Sequence, residues 1–166
     1  NKKGKFLLSI EDTDPERSKS ELSEQILRSM EWLGMTSDEP IVYQALNIDR
    51  HREASLELLK AGKAYYAFET SEELEEQRKI SKRNKVQFKY NRASLALPEE
   101  TVKQYLNEGK PYAIRFKVPE GITEFEDIVH GNTSFNNSEV DDFVILRSDG
   151  SPVYQIAVVV DDHDMK

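Results

Sequence analysis

The chain has no cysteine in its 166 residues. That excludes disulfides, thiolate catalysis and cysteine-based zinc sites together, and it fits a reducing cytoplasmic compartment. No apolar run approaches membrane-spanning length, and no signal peptide is visible, so neither membrane insertion nor secretion is expected. Basic residues are in deficit: 23 Lys and Arg stand against 31 Asp and Glu, a formal charge of −8. A protein that coats DNA would be basic, so DNA is not an expected partner; a local RNA-binding face is still allowed. Only three histidines are present. His51 and His130 stand in no constellation, and His163, between Asp162 and Asp164, reads as a solvated loop residue rather than a metal ligand. There is no internal repeat or low-complexity segment.

What is present is concentrated in Ile10-Glu11-Asp12-Thr13-Asp14-Pro15-Glu16-Arg17. This stretch follows a short apolar run, Phe6 to Ile10, whose length and lack of helical period predict a buried parallel strand. In open α/β sheets the ligand crevice lies beyond the carboxyl ends of the strands. Carboxylates clustered there suit an ammonium group or a ribose hydroxyl and repel a naked phosphate. The same acids also suit a helix entry, where they complement the helix dipole. A calcium loop is excluded, because Arg17 falls where that loop needs glycine and no bidentate Glu follows at the required distance.

Ser18 and Glu21 are spaced as a capping box. Leu22, Ile26, Leu27, Met30 and Leu33 then recur with helical spacing, predicting one apolar face, and Gly34 is a C-terminal stop. Residues 35–45 read as a connection containing Pro40. A second helix is expected from Ile48 to Ala61 with Ala54, Leu58 and Leu59 inward, then a strand from Ala64 to Phe68. Thr70 or Ser71 caps a helix rich in Glu72, Glu73, Glu75 and Glu76. A short helix follows Pro98 and stops at Gly109. Tyr112 to Val118 alternates as a half-exposed strand, Phe143 to Leu146 is a further strand, and Ser148 to Ser151 is a turn. The segment after Pro119 carries few helix signals. Residues 1–62 thus read as part of an α/β sheet, 63–150 as a mixed α+β module, and 151–166 as a return to the first.

Seven basic residues and no acid lie between Arg78 and Arg92, interleaved with Phe88 and Tyr90. Such a run can meet a phosphate backbone, and its aromatics can stack on exposed bases. For Arg78 to Arg83 the helix dipole explains the order equally well, acids first and bases last. Beyond the helix, Lys85, Lys89 and Arg92 are the candidate RNA contacts. The run Tyr154 to Val160 is apolar, and three consecutive valines predict a strand by propensity. Its Tyr154 hydroxyl needs a partner, either backbone or a ligand.

Together these residues resemble the bacterial-type glutamyl-tRNA synthetase family. The resemblance is carried by Gly4 to Arg17, Trp32-Leu33-Gly34, Gly62 to Tyr66, Pro111 to Pro119, Asp142 to Pro152, and Tyr154 through Asp161-Asp162-His163-Asp164-Met165, in that order over nearly the whole chain. It implies a class I aminoacyl-tRNA synthetase: an α/β fold, here a partial Rossmann-type nucleotide-binding domain interrupted by an inserted α+β module that binds the tRNA acceptor stem. It implies that Val153 to Val160 is helical, against the propensity reading. The reaction implied is glutamate attack on the α-phosphate of ATP, then transfer to the 3′-terminal adenosine of tRNA(Glu). The partners implied are L-glutamate, ATP with Mg2+, and tRNA(Glu), in the cytoplasm.

Carried over residue by residue, Glu11 matches the acid that meets the substrate ammonium, Tyr154 the tyrosine of the glutamate pocket, and Val158 a pocket-lining position. Asp14 and Arg17 match positions near the tRNA acceptor end. Ser9 departs from the family, which usually has Arg there. Many members hold zinc in the inserted module, but Ala67, Phe68, Glu69 and the region around Ala93 lack those ligands, so no zinc is predicted. Glutamyl-queuosine-tRNA(Asp) synthetase, glutaminyl-tRNA synthetase and a non-catalytic tRNA-binding module are the alternatives. The chain starts with Asn1 rather than Met, and both ends read as cut from a longer protein. The HIGH and KMSKS signatures that bind ATP are expected to lie outside it. An ATP–pyrophosphate exchange assay on this chain should therefore stay at background; clear activity would show that those motifs are dispensable.

Overall fold

The structure, a computed structural model, describes residues 4–13 and 20–165. Asp14, Arg17 and the Ser18 cap lie outside the described residues. The chain divides into two compact units, one of residues 1–55 and 151–166, the other of residues 56–150.

In the first unit, strand β1 (Ser9–Ile10) pairs in parallel with β2 (Val42–Tyr43), Ser9 opposite Val42 and Ile10 opposite Tyr43. The regular ladder is shorter than the apolar run predicts. It extends toward Phe6 through single bonds, Val42 N to Leu8 O at 3.1 Å and Asp38 N to Phe6 O at 2.8 Å. The expected parallel direction holds, but Phe6 to Ile10 are half-buried rather than buried. β2 itself falls in the stretch read as a connection; two residues are too few for a period to show.

Helix α1 (Ser20–Trp32) forms where the spacing predicts it. Its apolar face is only partly covered, however: Leu27 and Met30 are half-buried, while Leu22 is 50% exposed, Ile26 52% and Leu33 63%. Periodicity reports which residues share a face, not what packs on it. Helix α2 (Ile48–Lys60) buries Ala54, with Leu58 and Leu59 half-buried. Both helices end in the same device. Gly34 (φ 75) and Gly62 (φ 68) take the left-handed conformation that other residues avoid. The amide after each reaches back, Met35 N to Met30 O and Lys63 N to Leu58 O, both at 2.9 Å, closing a Schellman motif.

In the second unit, β3 (Ala64–Ala67), β4 (Ala113–Phe116) and β7 (Val144–Leu146) make an antiparallel sheet in the order β3-β4-β7. Ile114 and Ile145, each 1% exposed, centre its core. Helix α3 (Ser71–Arg83) starts on a complete capping box: Thr70 Oγ1 accepts from Glu73 N, and Glu73 Oε2 accepts from Thr70 N. It buries no residue. Helix α4 (Glu99–Asn107) follows Pro98, as predicted. β5 (Ile122–Asp127) and β6 (Gly131–Asn136) form a hairpin in the segment after Pro119, with Phe125 stacked on Phe135 at 6.0 Å.

Helix α5 (Tyr154–Met165) completes the first unit. The three valines do not make a strand. A valine's helical cost is only about half a kilocalorie, and burial of Ile156, Ala157 and Val160 outweighs it. The helix is the outcome the family resemblance implies. His163 therefore lies on a helix, exposed, rather than in a loop.

The second unit is knit around Asp142, whose side chain is fully buried. Its Oδ2 accepts from the Tyr65 hydroxyl at 2.7 Å; its Oδ1 accepts from Arg92 at 2.7 Å and from the Val118 amide at 2.9 Å. Burial first, then the hydrogen bond to Asp142, raises the Tyr65 phenol well above its ordinary value, and the neighbouring Tyr90 phenol is pushed up to about 12, mainly by burial. In both cases the fold favours the neutral phenol more than the unfolded chain does. Their contribution is complete below about pH 10 and is lost as pH rises above it. Tyr65→Phe should cost about 1.5–3 kcal/mol at neutral pH and flatten the decline in stability between pH 10 and 12, both read from urea melts.

Candidate functional site

The first unit hangs its candidate residues from one short element, the 3-10 turn Gln44–Asn47 that follows β2. Glu11 comes directly after β1, exposed at the strand's carboxyl end. The next residue, Asp12, is half-buried, and its Oδ1 accepts from the Ala45 amide of the turn at 2.8 Å. One acid of the cluster is thus structural, which leaves Glu11 as a solvent-facing carboxylate. On α5, Tyr154, Val158 and Asp161 are spaced by four and three residues and share a face. Asp161, 2% exposed, ties that face to the turn. Its Oδ1 accepts from Asn47 Nδ2 at 3.0 Å and from His51 Nε2 at 2.9 Å. Tyr154 is 50% exposed and Val158 half-buried.

Glu11, Tyr154 and Val158 accordingly belong to the same unit, in which Asp12, next to Glu11, and Asp161, on the helix of Tyr154 and Val158, both bond to the 44–47 turn. Lys85, Lys89 and Arg92 belong to the other unit. Among the described residues of the first unit, four buried polar atoms have no hydrogen-bond partner: Ser9 Oγ, Gln44 Oε1, His51 Nδ1 and Asp161 Oδ2. Ser9 is the position where the family usually carries Arg.

Sequence reasoning missed His51, to which it assigned no role. The residue is fully buried, and its carbonyl accepts from Ser55 Oγ at 2.9 Å. A signal was available: Gln44, Asn47, His51 and Ser55 recur every three or four residues, a polar stripe at helical spacing. Asp161 was hidden in an acidic cluster that reads as solvated.

In the second unit, Lys85 ends α3 in the left-handed region (φ 55) and is exposed; Arg92 has φ 56. Among the described residues these are the non-glycine residues with positive φ. Such conformations cost about 1–2 kcal/mol each and gather where function or packing requires them. Arg92 is turned inward onto Asp142 and the Val118 carbonyl, with about a third of its side chain left exposed. Lys89 donates to the Ser138 carbonyl at 2.8 Å. The aromatics of the run are not free for stacking as expected. Tyr90 is 4% exposed beneath Arg115, which lies 3.8 Å over its ring, and Phe88 is half-buried against Arg78 at 5.4 Å.

Where the family resemblance would place zinc ligands, this chain makes hydrogen bonds. Ser94 Oγ accepts from the Phe68 amide, and Glu69 Oε1 accepts from the Ser94 amide, both at 3.0 Å. Ala67 and Phe68 carry no ligating atom, so the donor set does not fit a zinc ion. Among the described residues there is no cluster of three or more His, Asp or Glu that could hold a metal. Nor, among them, is any helix long and apolar enough to cross a membrane.

The family described as "tRNA synthetases class I (E and Q), catalytic domain" matches residues 1–166. The chain belongs to this family. A glutamate–tRNA ligase of Coprothermobacter proteolyticus is 47% identical over 164 residues, 98% of this chain and 35% of that protein. Glutamate–tRNA ligase 1 of Caldanaerobacter subterraneus subsp. tengcongensis is 47% identical over 163 residues, 98% of this chain and 34% of that protein. Among solved structures, a glutamate tRNA ligase from Elizabethkingia meningosepticum, in complex with its amino acid, superimposes with a TM-score of 0.89 at 38% identity. That superposition covers 98% of this chain and 36% of the other. The chain thus spans about a third of the length of the relatives it matches, over which its mixed α/β fold is the family's.

His51→Ala would leave a cavity beside a buried acceptor. It should cost about 2–4 kcal/mol in a urea melt, and His51→Gln, which keeps an N–H donor, should recover part of that.

Proposed function

We propose that this chain supplies part of the catalytic region of a ligase that activates L-glutamate with ATP and transfers it to tRNA(Glu) in cytoplasmic translation. The single observation that carries the reading is the 47% identity to glutamate–tRNA ligases over 98% of the chain. Residues 1–62 and 151–166 are then parts of a Rossmann-type domain, and residues 63–150 an inserted module for the tRNA acceptor stem. The division into two units, with the second formed by a continuous stretch, supports this arrangement.

In the first step a glutamate carboxylate oxygen bonds to the α-phosphorus of ATP and pyrophosphate leaves. In the second, a ribose hydroxyl of the terminal adenosine takes the glutamyl carbonyl and AMP leaves. Neither step needs a covalent bond to a side chain, so positioning and charge stabilisation set the rate. Glu11 accepts a charge-assisted hydrogen bond from the substrate ammonium. Tyr154 offers its phenol, and Val158 forms the apolar wall. The link from Asp12 through the 44–47 turn to Asp161 holds strand tip and helix in one unit, which supports a common pocket. The family implies ATP with Mg2+ as substrate; no residue described here is assigned to it. In the other unit Lys85 and Lys89 meet the RNA backbone, with Arg92 anchoring their segment; Asp14 and Arg17 complete the acceptor-end contacts.

The test has two arms. Titration of the chain with L-glutamate, followed by NMR, should move the signals of Glu11, Tyr154 and Val158, and Glu11→Gln should weaken that binding about ten-fold or more. Filter binding to tRNA(Glu) across a salt series should show a slope that falls by about 1–2 in the Lys85→Ala/Lys89→Ala double variant. Glutamate shifts confined to other residues, or an unchanged slope, would refute these assignments.

A further inference from the structure

The hairpin β5–β6 is little covered by the rest of the second unit. Every residue of β5 from Ile122 to Glu126 is exposed, and at the tip Ile128 is 96% exposed and Val129 83%. Among the described residues the two strands pair only with each other, so each keeps one open edge. A hairpin of two strands is marginal in water and gains from a third. The tip is preorganised, however: Asp127 Oδ1 accepts from the Val129 and His130 amides, both at 2.8 Å.

The register sorts the side chains of β5 by chemistry. Residues directly opposite each other share a side of the hairpin, and successive residues alternate between sides. Glu124 lies opposite Ser134 and Glu126 opposite Asn132, on one side. Phe125 lies opposite Thr133 on the other side, where it stacks on Phe135 at 6.0 Å. The β5 edge therefore presents acid, ring, acid in succession. Among the described residues the Glu124 and Glu126 carboxylates have no hydrogen bond or ion pair. The surrounding sequence adds to their charge: from Val118 to Leu146 there are seven Asp and Glu and no Lys or Arg.

That charge decides among occupants. It repels a phosphate backbone and an anionic lipid surface alike. A second copy paired edge to edge would set Glu124 and Glu126 against glutamates, and like charges directly opposite are unfavourable. The complement of this edge is a strand with basic residues beside the two glutamates and apolar residues beside Phe125.

We propose that the β5 edge docks an extended protein segment that alternates basic and apolar residues and joins the hairpin as its third strand. Main-chain hydrogen bonds supply the affinity of such an addition, and the alternation supplies its specificity. No residue assigned above to glutamate or RNA belongs to this edge, and the proposal does not rest on the ligase reading.

NMR titration of the chain with a short peptide of alternating lysine and valine tests this. The peptide should shift the amide signals of residues 122–127. It should bind about five-fold or more tighter than a peptide of the same composition with its lysines and valines in separate blocks. Glu124→Lys/Glu126→Lys should weaken it about five-fold or more and should take up a peptide of alternating glutamate and valine instead. Both positions are exposed, so this variant is expected to fold. Glu31→Lys/Glu76→Lys, which makes the same change of charge at exposed positions elsewhere, should leave the affinity within about two-fold. Equal binding of the alternating and block peptides would reduce the effect to net charge and overturn the proposal. Equal loss in the two double variants, shifts confined to other residues, or no binding would overturn it too. Concentration-dependent shifts of residues 122–127 without peptide would give the edge to a second copy, and shifts of the same residues by tRNA(Glu) would give it to RNA; either result overturns the proposal.

Discussion

A carboxylate taken out of water must be given donors, and this constraint organises both units. Asp142 brings together a phenol from β3, a guanidinium from the basic run and the amide that follows β4. Asp161 brings together an amide side chain from the 44–47 turn and an imidazole from α2. Removing one donor from such a centre leaves charge uncompensated in a medium that solvates it poorly. Each centre therefore fixes the relative placement of elements that are individually weak: a two-residue strand pair, a four-residue turn, and a loop with two strained residues.

The same constraint bears on function. Two of the candidate glutamate residues, Tyr154 and Val158, share a helix with Asp161, and the basic run is pinned at Arg92 by the Asp142 centre. Arg92 is thus both the last residue of the basic run and the partner of a buried acid. Its left-handed backbone goes with a guanidinium turned inward onto Asp142. Lys85, in contrast, sits at the end of α3 in a conformation that glycine would adopt more cheaply, and keeps its charge in solvent.

Much of this was legible from the residues. Helices α1 to α4 were marked by caps, glycine stops and apolar spacing, all local signals that survive without tertiary context. The strands β3, β4 and β7 showed as short apolar or alternating runs. The parallel pairing of β1 with β2 was anticipated on one side only, because β2 is too short to carry a pattern. α5 was misread by propensity and set right by family resemblance: a run of valines prefers a strand slightly, but buried faces decide by larger amounts.

The sequence by itself determined where helices start and stop, that one acid-rich strand tip and one basic run exist, and which family the motifs resemble. It did so because capping, left-handed glycine and charge order act over three or four residues. Only the tertiary structure decided which acids are solvent-facing and which are buried: Glu11 stays exposed, Asp12 is half-buried, and Asp142 and Asp161 are buried and bonded to donors from distant segments. It also decided that His51, isolated in sequence, partners an acid 110 residues away. Both outcomes depend on which groups meet when distant segments pack, and no spacing along the chain encodes that meeting.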